Sequence, residues 1–269
     1  MDAHLLCVGD LHLGRLPSRL PPDLDEFGLS PRALTPAAAW QAVVDYACAS
    51  RVAAVLLAGD VVESEGDFYE SYELLDSGVR RLLAADIQVM AVAGNHDVAV
   101  LPRLDDAIPG FQLLGRGGRW QEPVPVLHHG TIVARVLGWS FAEHRVETNP
   151  LAALPALAAG PPAIGLLHCD LDVRASPYAP VPRFQLEAAP LDAWMLGHIH
   201  KPDPLASMTR PIGYLGSVVG LDPTESGPHG PWQLHLEPGR IRAQQIPLAP
   251  LRWESLPVDV SGAAEATEL

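Results

Sequence analysis

Lysine is almost missing from these 269 residues: Lys201 stands alone beside 17 arginines. Acidic side chains outnumber basic ones by 32 to 18, for a formal net charge of −14. That excess argues against a stand-alone, non-specific grip on duplex nucleic acid, which rests on cations neutralising phosphates. A small phosphate site is still allowed. Cysteine is scarce as well. Cys7, Cys48 and Cys169 are an odd number without metal-type spacing, so neither a disulfide framework nor a zinc finger is suggested. No apolar run approaches the length of a membrane span, and the N-terminus lacks the basic start and cleavage region of a signal peptide. Internal repeats and low-complexity tracts are also lacking. Together these absences predict a soluble, cytoplasmic protein with no membrane association. Its length suits one large domain with a sizeable core.

Strands and helices alternate along the first hundred residues. "HLLCVGD" (4–10), "VAAVLLAGD" (52–60) and "IQVMAVAGNHD" (87–97) are apolar runs with polar ends, as expected of buried strands that deliver side chains at their carboxyl ends. Between them the spacing predicts two helices. One starts at Thr35 as N-cap with Pro36 at N1 and carries Trp40, Val43, Val44, Ala47 and Cys48 on one side. The other covers 68–84 with a stripe of Phe68, Tyr72, Leu75, Val79 and Leu82. Beyond residue 110 shorter strands follow: a hairpin over 124–139 turning at His129 and Gly130, strands at 163–170 and 193–198, and a hairpin around Pro238 and Gly239. The proline-rich stretches 15–34 and 170–190 read as loops bordering a site.

Five polar clusters sit at strand ends: "GDLH" with Asp10 and His12, "AGDVVE" with Asp60, "GNHD" with Asn95, His96 and Asp97, "LLHCD" with His168, and "GHIH" with His198 and His200. Carboxyl ends of strands are where sites gather in α/β folds, so the five can converge. They bring carboxylates, imidazoles and an amide, and no thiolate. That donor set suits Mn²⁺, Fe²⁺, Zn²⁺ or Mg²⁺, and it is too large for one ion. Two ions sharing a carboxylate are the usual apparatus for in-line attack on phosphorus. Alternation along an extended chain would put His198 and His200 on one face. The same alternation sends Cys169 away from His168 into the core. Glu63, His128, His129, His144 and His229 read as surface or loop residues. Arg15, Arg19 and Arg32 read as solvated charges, with phosphate contact as the alternative.

D-x-H, G-D, G-N-H-D, a lone His after an apolar strand, and G-H-x-H, in this order, resemble the calcineurin-like metallophosphoesterase superfamily across residues 1–250. Within it, "DLHLG" (10–14) and "YLGSVVGLDPTESGPHG" (214–230) are similar to the SbcD-type DNA-repair exonuclease branch. The resemblance implies an α/β fold, a four-layered metallophosphoesterase sandwich of two mixed β-sheets flanked by helices. It implies a first ion on Asp10, His12 and His200, a second on Asn95, His168 and His198, and Asp60 as the bridge. Mn²⁺ is the first choice of metal, with Fe²⁺, Zn²⁺ or Mg²⁺ as alternatives. His96 would protonate the leaving oxygen, and Asp97 would orient His96 through its other nitrogen. DNA ends would be the substrate and a coiled-coil ATPase the partner. Two other functions stand beside this one: a phosphodiesterase for a small nucleotide or other low-molecular-weight diester, and a non-catalytic scaffold subunit of an ATPase complex. The chain departs from the branch at Glu63, where a histidine is common, and at its end, where 251–269 reads as a tail leading into a capping or partner-binding region.

Overall fold

Runs that are apolar at every position must be buried on both faces, whereas helices with one apolar stripe need cover on one side only. The computed structural model, which describes residues 3–259 and 261, meets both demands with four layers. Strand β1 (Ala3–Val8), helix α1 (Pro36–Ser50), β2 (Ala54–Ala58), α2 (Phe68–Ala84), β3 (Gln88–Val92), α3 (Leu101–Ala107) and β4 (Phe111–Leu113) follow one another in sequence. Then come β5 (Val124–His128), β6 (Thr131–Trp139), β7 (Ala163–His168), α4 (Arg183–Ala188), β8 (Ala193–Gly197), β9 (Ile212–Tyr214), β10 (Trp232–Glu237) and β11 (Arg240–Gln245). One sheet has the order β11-β10-β1-β2-β3-β4, parallel from β1 to β4 and antiparallel where β10 joins β1. The other has the order β5-β6-β7-β8-β9, parallel except for the β5–β6 hairpin. Both sheets are mixed.

Alternation along each strand divides the core. In β1, Leu6 and Val8 meet Trp40, Val43, Leu75 and Val79 of the helices, while Leu5 and Cys7 face the other sheet and pack with Ile164, Leu166 and Met195. On the far side of the second sheet, Trp139, Leu167 and Trp194 are covered by Leu186 of α4 and neighbouring loops. Local chemistry sets the ends. The Thr35 hydroxyl oxygen accepts from the Ala38 N–H at 3.5 Å and Pro36 opens α1. The β5–β6 turn is made by His129 at φ 50° and Gly130 at φ 75°.

The structure shortens several expected strands: β2 stops at Ala58, β3 at Val92 and β8 at Gly197, so the polar motifs lie in loops just past the strands. Helices α3 and α4 and strands β4 and β9 have three to seven residues each, too few to show a period in sequence. Past position 250 the chain is still engaged: the Trp253 indole N–H donates to the Gly220 carbonyl at 3.0 Å, and Trp253 forms a β-bridge with Ser226. Residues 260 and 262–269, the rest of the expected tail, lie outside the described residues. Among the described residues no helix is long and apolar enough to cross a membrane.

Candidate metal centre and active site

Five strands, β1, β2 and β3 of one sheet and β7 and β8 of the other, end at one edge of the sandwich. Their following residues turn sharply into the gap. Asp10, His12, Asp60 and His198 all have positive φ, at 38°, 49°, 47° and 103°. Non-glycine residues adopt that region at a cost, and such residues gather at functional sites. Two glycines let the turns close. A Cβ on Gly94 would come within 2.1 Å of Asp60 Oδ1, and one on Gly197 within 2.0 Å of the Ala58 carbonyl oxygen.

The turns bring three groups of donors together; one is His12 with Glu63 and His96, and the other two are built from the expected ligands. Asp10, His12 and His200 offer ligand atoms that all lie within 4.8 Å of one another, and so do Asp60, His168 and His198. Asp60 Oδ2 stands between the sets, 3.4 Å from His168 Nε2 and 3.9 Å from His12 Nε2. Asn95 Oδ1 is 3.1 Å from His168 Nε2. Each imidazole is anchored from behind. His12 Nδ1 meets Glu63 at 2.6 Å, His200 Nδ1 meets Glu225 at 2.7 Å, His168 Nδ1 meets the Ala58 carbonyl at 3.1 Å, and His198 Nε2 meets Asp170 at 3.2 Å. With Nδ1 donating to a carboxylate, the Nε2 atoms of neutral His12 and His200 are bare lone pairs, yet they face each other at 3.0 Å. Asp10 gives one oxygen to the His198 N–H at 2.8 Å, and its other oxygen is buried without a hydrogen-bond partner. Lone pairs aimed at each other and an orphaned carboxylate oxygen are what a cation resolves, so these residues fit a pair of divalent ions.

Electrostatics agree. Burial pushes the Asp60 carboxyl up, but the imidazoles of His168, His12 and His96 outweigh it and hold Asp60 well below the usual carboxylate range. For His168 burial works against the charged form, yet Asp60 beside it lifts the imidazole to about 9. Asp60 is thus held as an anion, and the proton on His168 occupies a place that metal binding would take.

A model of the calcineurin-like phosphoesterase family matches residues 3–202. The chain belongs to that family. As a metallophosphoesterase it is 25% identical over 245 residues to the uncharacterised metallophosphoesterase YhaO of Bacillus subtilis (strain 168), covering 84% of this chain and 56% of that one. It therefore spans about half the length of this curated relative. A solved dimetal phosphatase from Danio rerio superposes with a TM-score of 0.52 at 13% identity, over 90% of this chain and 95% of that one, a likeness of fold.

Around the metallophosphoesterase centre several expectations are corrected. His198 and His200 do not share a strand face, because β8 ends before them and each joins a different donor set. Asp97 does not orient His96. It is fully buried and accepts from the backbone N–H groups of Gly94 and Val61, both at 2.7 Å, bracing the "GNHD" turn against the loop after β2. Burial, and then the neighbouring Asp60 charge, push its carboxyl up to about 7. His96 is held instead by its Nδ1, 3.0 Å from the Glu63 carbonyl oxygen.

Four residues read as loop or left unmentioned belong to the site: Glu63, Asp170 and Glu225 behind the imidazoles, and His144, whose Nδ1 is 2.8 Å from the Asn95 carbonyl oxygen. His229, also read as a loop residue, is buried between Ser217 and the Glu225 backbone. Glu63 had a signal in its place three residues after Asp60, and Asp170 in its place two after His168. Glu225 had none. Arg15 reaches Glu63 only at 3.9 Å, and Arg19 and Arg32 remain exposed. Beside the donor sets an open cleft of about 330 Å³ is walled by Glu63, Asn95, His96, His144, Arg145 and Tyr178, among others.

Proposed function

We propose that this chain hydrolyses phosphodiesters with two divalent ions, Mn²⁺ first among them, and that its substrate is a nucleic-acid end. Asp10, His12 and His200 would hold one ion, Asn95, His168 and His198 the other, with Asp60 shared. Bound there, the ions supply Lewis acidity toward the phosphoryl oxygens and lower the pKa of a water. The chain's own contribution is orientation and a proton. With Nδ1 fixed on the Glu63 carbonyl, His96 presents Nε2 to the cleft as the acid for the leaving oxygen. The observation that carries this reading is Asp60 Oδ2 placed between the two donor sets.

The test is Asp60→Asn. Wild type should bind two Mn²⁺ per chain and hydrolyse bis(p-nitrophenyl) phosphate, and the variant should lose both properties. Two retained ions with near-normal turnover would refute the shared-ligand role. Similarity of the 214–230 segment to SbcD-type exonucleases supports a DNA end as the substrate, a coiled-coil ATPase as the partner and a cytoplasmic setting. A second reading, a small phosphodiester as substrate, is favoured by the limited cleft and by Glu63 and Glu65 on its wall, which repel a long polyanion. Hydrolysis of labelled DNA compared with that of cyclic nucleotides under one metal condition separates the two.

A further inference from the structure

Arg145 is placed with care for a residue on an exposed loop. Its neighbours on both sides are tied to the centre. His144 reaches the Asn95 carbonyl at 2.8 Å, and Val146 forms a bridge with Tyr178 in which the Val146 N–H donates to Pro177 and the Ala179 N–H to Val146, both at 2.7 Å. Arg145 makes no ion pair among the described residues, although the chain carries 32 acidic side chains against 18 Lys and Arg. Other arginines among the described residues also lack an ion pair, but Arg145 stands at the wall of the cleft beside two donor sets, where its guanidinium is available for a ligand anion. Tyr178 is fixed by the same network that orients His198. Its N–H donates to Ser176 Oγ at 2.9 Å, Ser176 bonds Asp170, and the tyrosine ring centre lies 4.9 Å from the His198 ring. Glu63 and Glu65 occupy other parts of the wall, so an anion in the cleft is directed to the arginine.

We propose that Arg145 and Tyr178 form a subsite for the nucleotide next to the scissile phosphate, the guanidinium taking its phosphate and the phenol ring stacking on its base. This makes the preferred substrate a short, terminally phosphorylated nucleic-acid end, and it rests on the phosphodiesterase reading above.

The experiment compares three substrates of the full chain with Mn²⁺: a dinucleotide with a terminal phosphate, the same dinucleotide without it, and bis(p-nitrophenyl) phosphate. Wild type should prefer the phosphorylated dinucleotide by about tenfold or more in kcat/KM, the value of one charge-assisted hydrogen bond. Arg145→Gln should abolish that preference through KM, and Arg145→Lys should restore part of it. Tyr178→Leu should raise KM for both dinucleotides by about tenfold or more, while Tyr178→Phe keeps the ring and should keep the affinity. In parallel, fluorescence anisotropy with Ca²⁺ measures binding of the labelled phosphorylated dinucleotide to wild type and Arg145→Gln. Hydrolysis of all three substrates without a phosphate preference, or an equal defect of Arg145→Gln on every substrate, overturns the subsite and leaves the phosphodiesterase reading intact. Absence of hydrolysis with a retained tenfold binding difference does the reverse.

Discussion

At Asn95 and His96, adjacent side chains are turned to different tasks by different anchors. Asn95 points its amide oxygen at His168, while its carbonyl is held by His144. His96 has its backbone N–H on Asp60 Oδ1 at 3.0 Å and its ring on the Glu63 carbonyl. Replacing His96 should therefore spare the donors and damage the chemistry. His96→Asn is expected to bind two Mn²⁺ with similar substrate affinity and to lose roughly 10²–10⁴ in kcat. The loss should shrink for a good leaving group such as p-nitrophenolate, which needs little protonation. Metal titration and a leaving-group series on this variant check the assignment, and metal loss or a defect independent of the leaving group would disprove it. The motif residues were readable because each is a polar side chain stranded at the end of an apolar run. Which anchor each one meets was not: Glu63 lies 51 residues from His12, and Asn95 lies 49 from His144. No local pattern joins residues so far apart.

Helices α1 and α2 show why element type was easier to read than element contact. Periodicity and the Thr35–Pro36 start placed both helices within the sequence, and their stripes identify the packed faces. The fit between them hangs on Gly78, which has no cap or turn to explain it. A Cβ there would lie 2.5 Å from Trp40 Nε1, an indole that is 2% exposed and donates to the Leu74 carbonyl at 3.0 Å. Alanine normally gains up to ~1 kcal/mol over glycine inside a helix. Here overpacking costs more, since a rigid buried indole cannot retreat, and insertion into a filled core costs about 1–3 kcal/mol. Gly78→Ala is expected to destabilise the protein by roughly 1–2 kcal/mol in urea unfolding, with metal stoichiometry unchanged. A stabilised variant would show that Trp40 repacks freely.

Across the whole molecule, the centre depends on the segment after the second sheet. Residues 217–229 return beneath His200, where Glu225 binds its Nδ1 and also accepts from Ser217 Oγ at 3.1 Å and the Leu221 N–H at 2.9 Å. Trp253 pins the same segment through Gly220 and Ser226. Loosening that pin should reach the metal. Trp253→Ala is expected to cost roughly 1–2 kcal/mol of stability and to weaken metal binding about tenfold, because the partner that fixes His200 loses its support. Calorimetric Mn²⁺ titration measures this, and unchanged affinity in a destabilised variant would uncouple the segment from the centre. By itself the sequence determined the α/β class and marked the polar residues past the strands as candidate donors, since apolar runs ending in Asp, Asn or His dictate buried strands with polar ends. Only the tertiary structure decided how the donors divide, that Asp97 braces a turn and not His96, and that Glu63, Asp170, Glu225 and His144 stand behind the site. Those pairings depend on two sheets packed face to face, and contact across a sandwich leaves no periodic trace along the chain.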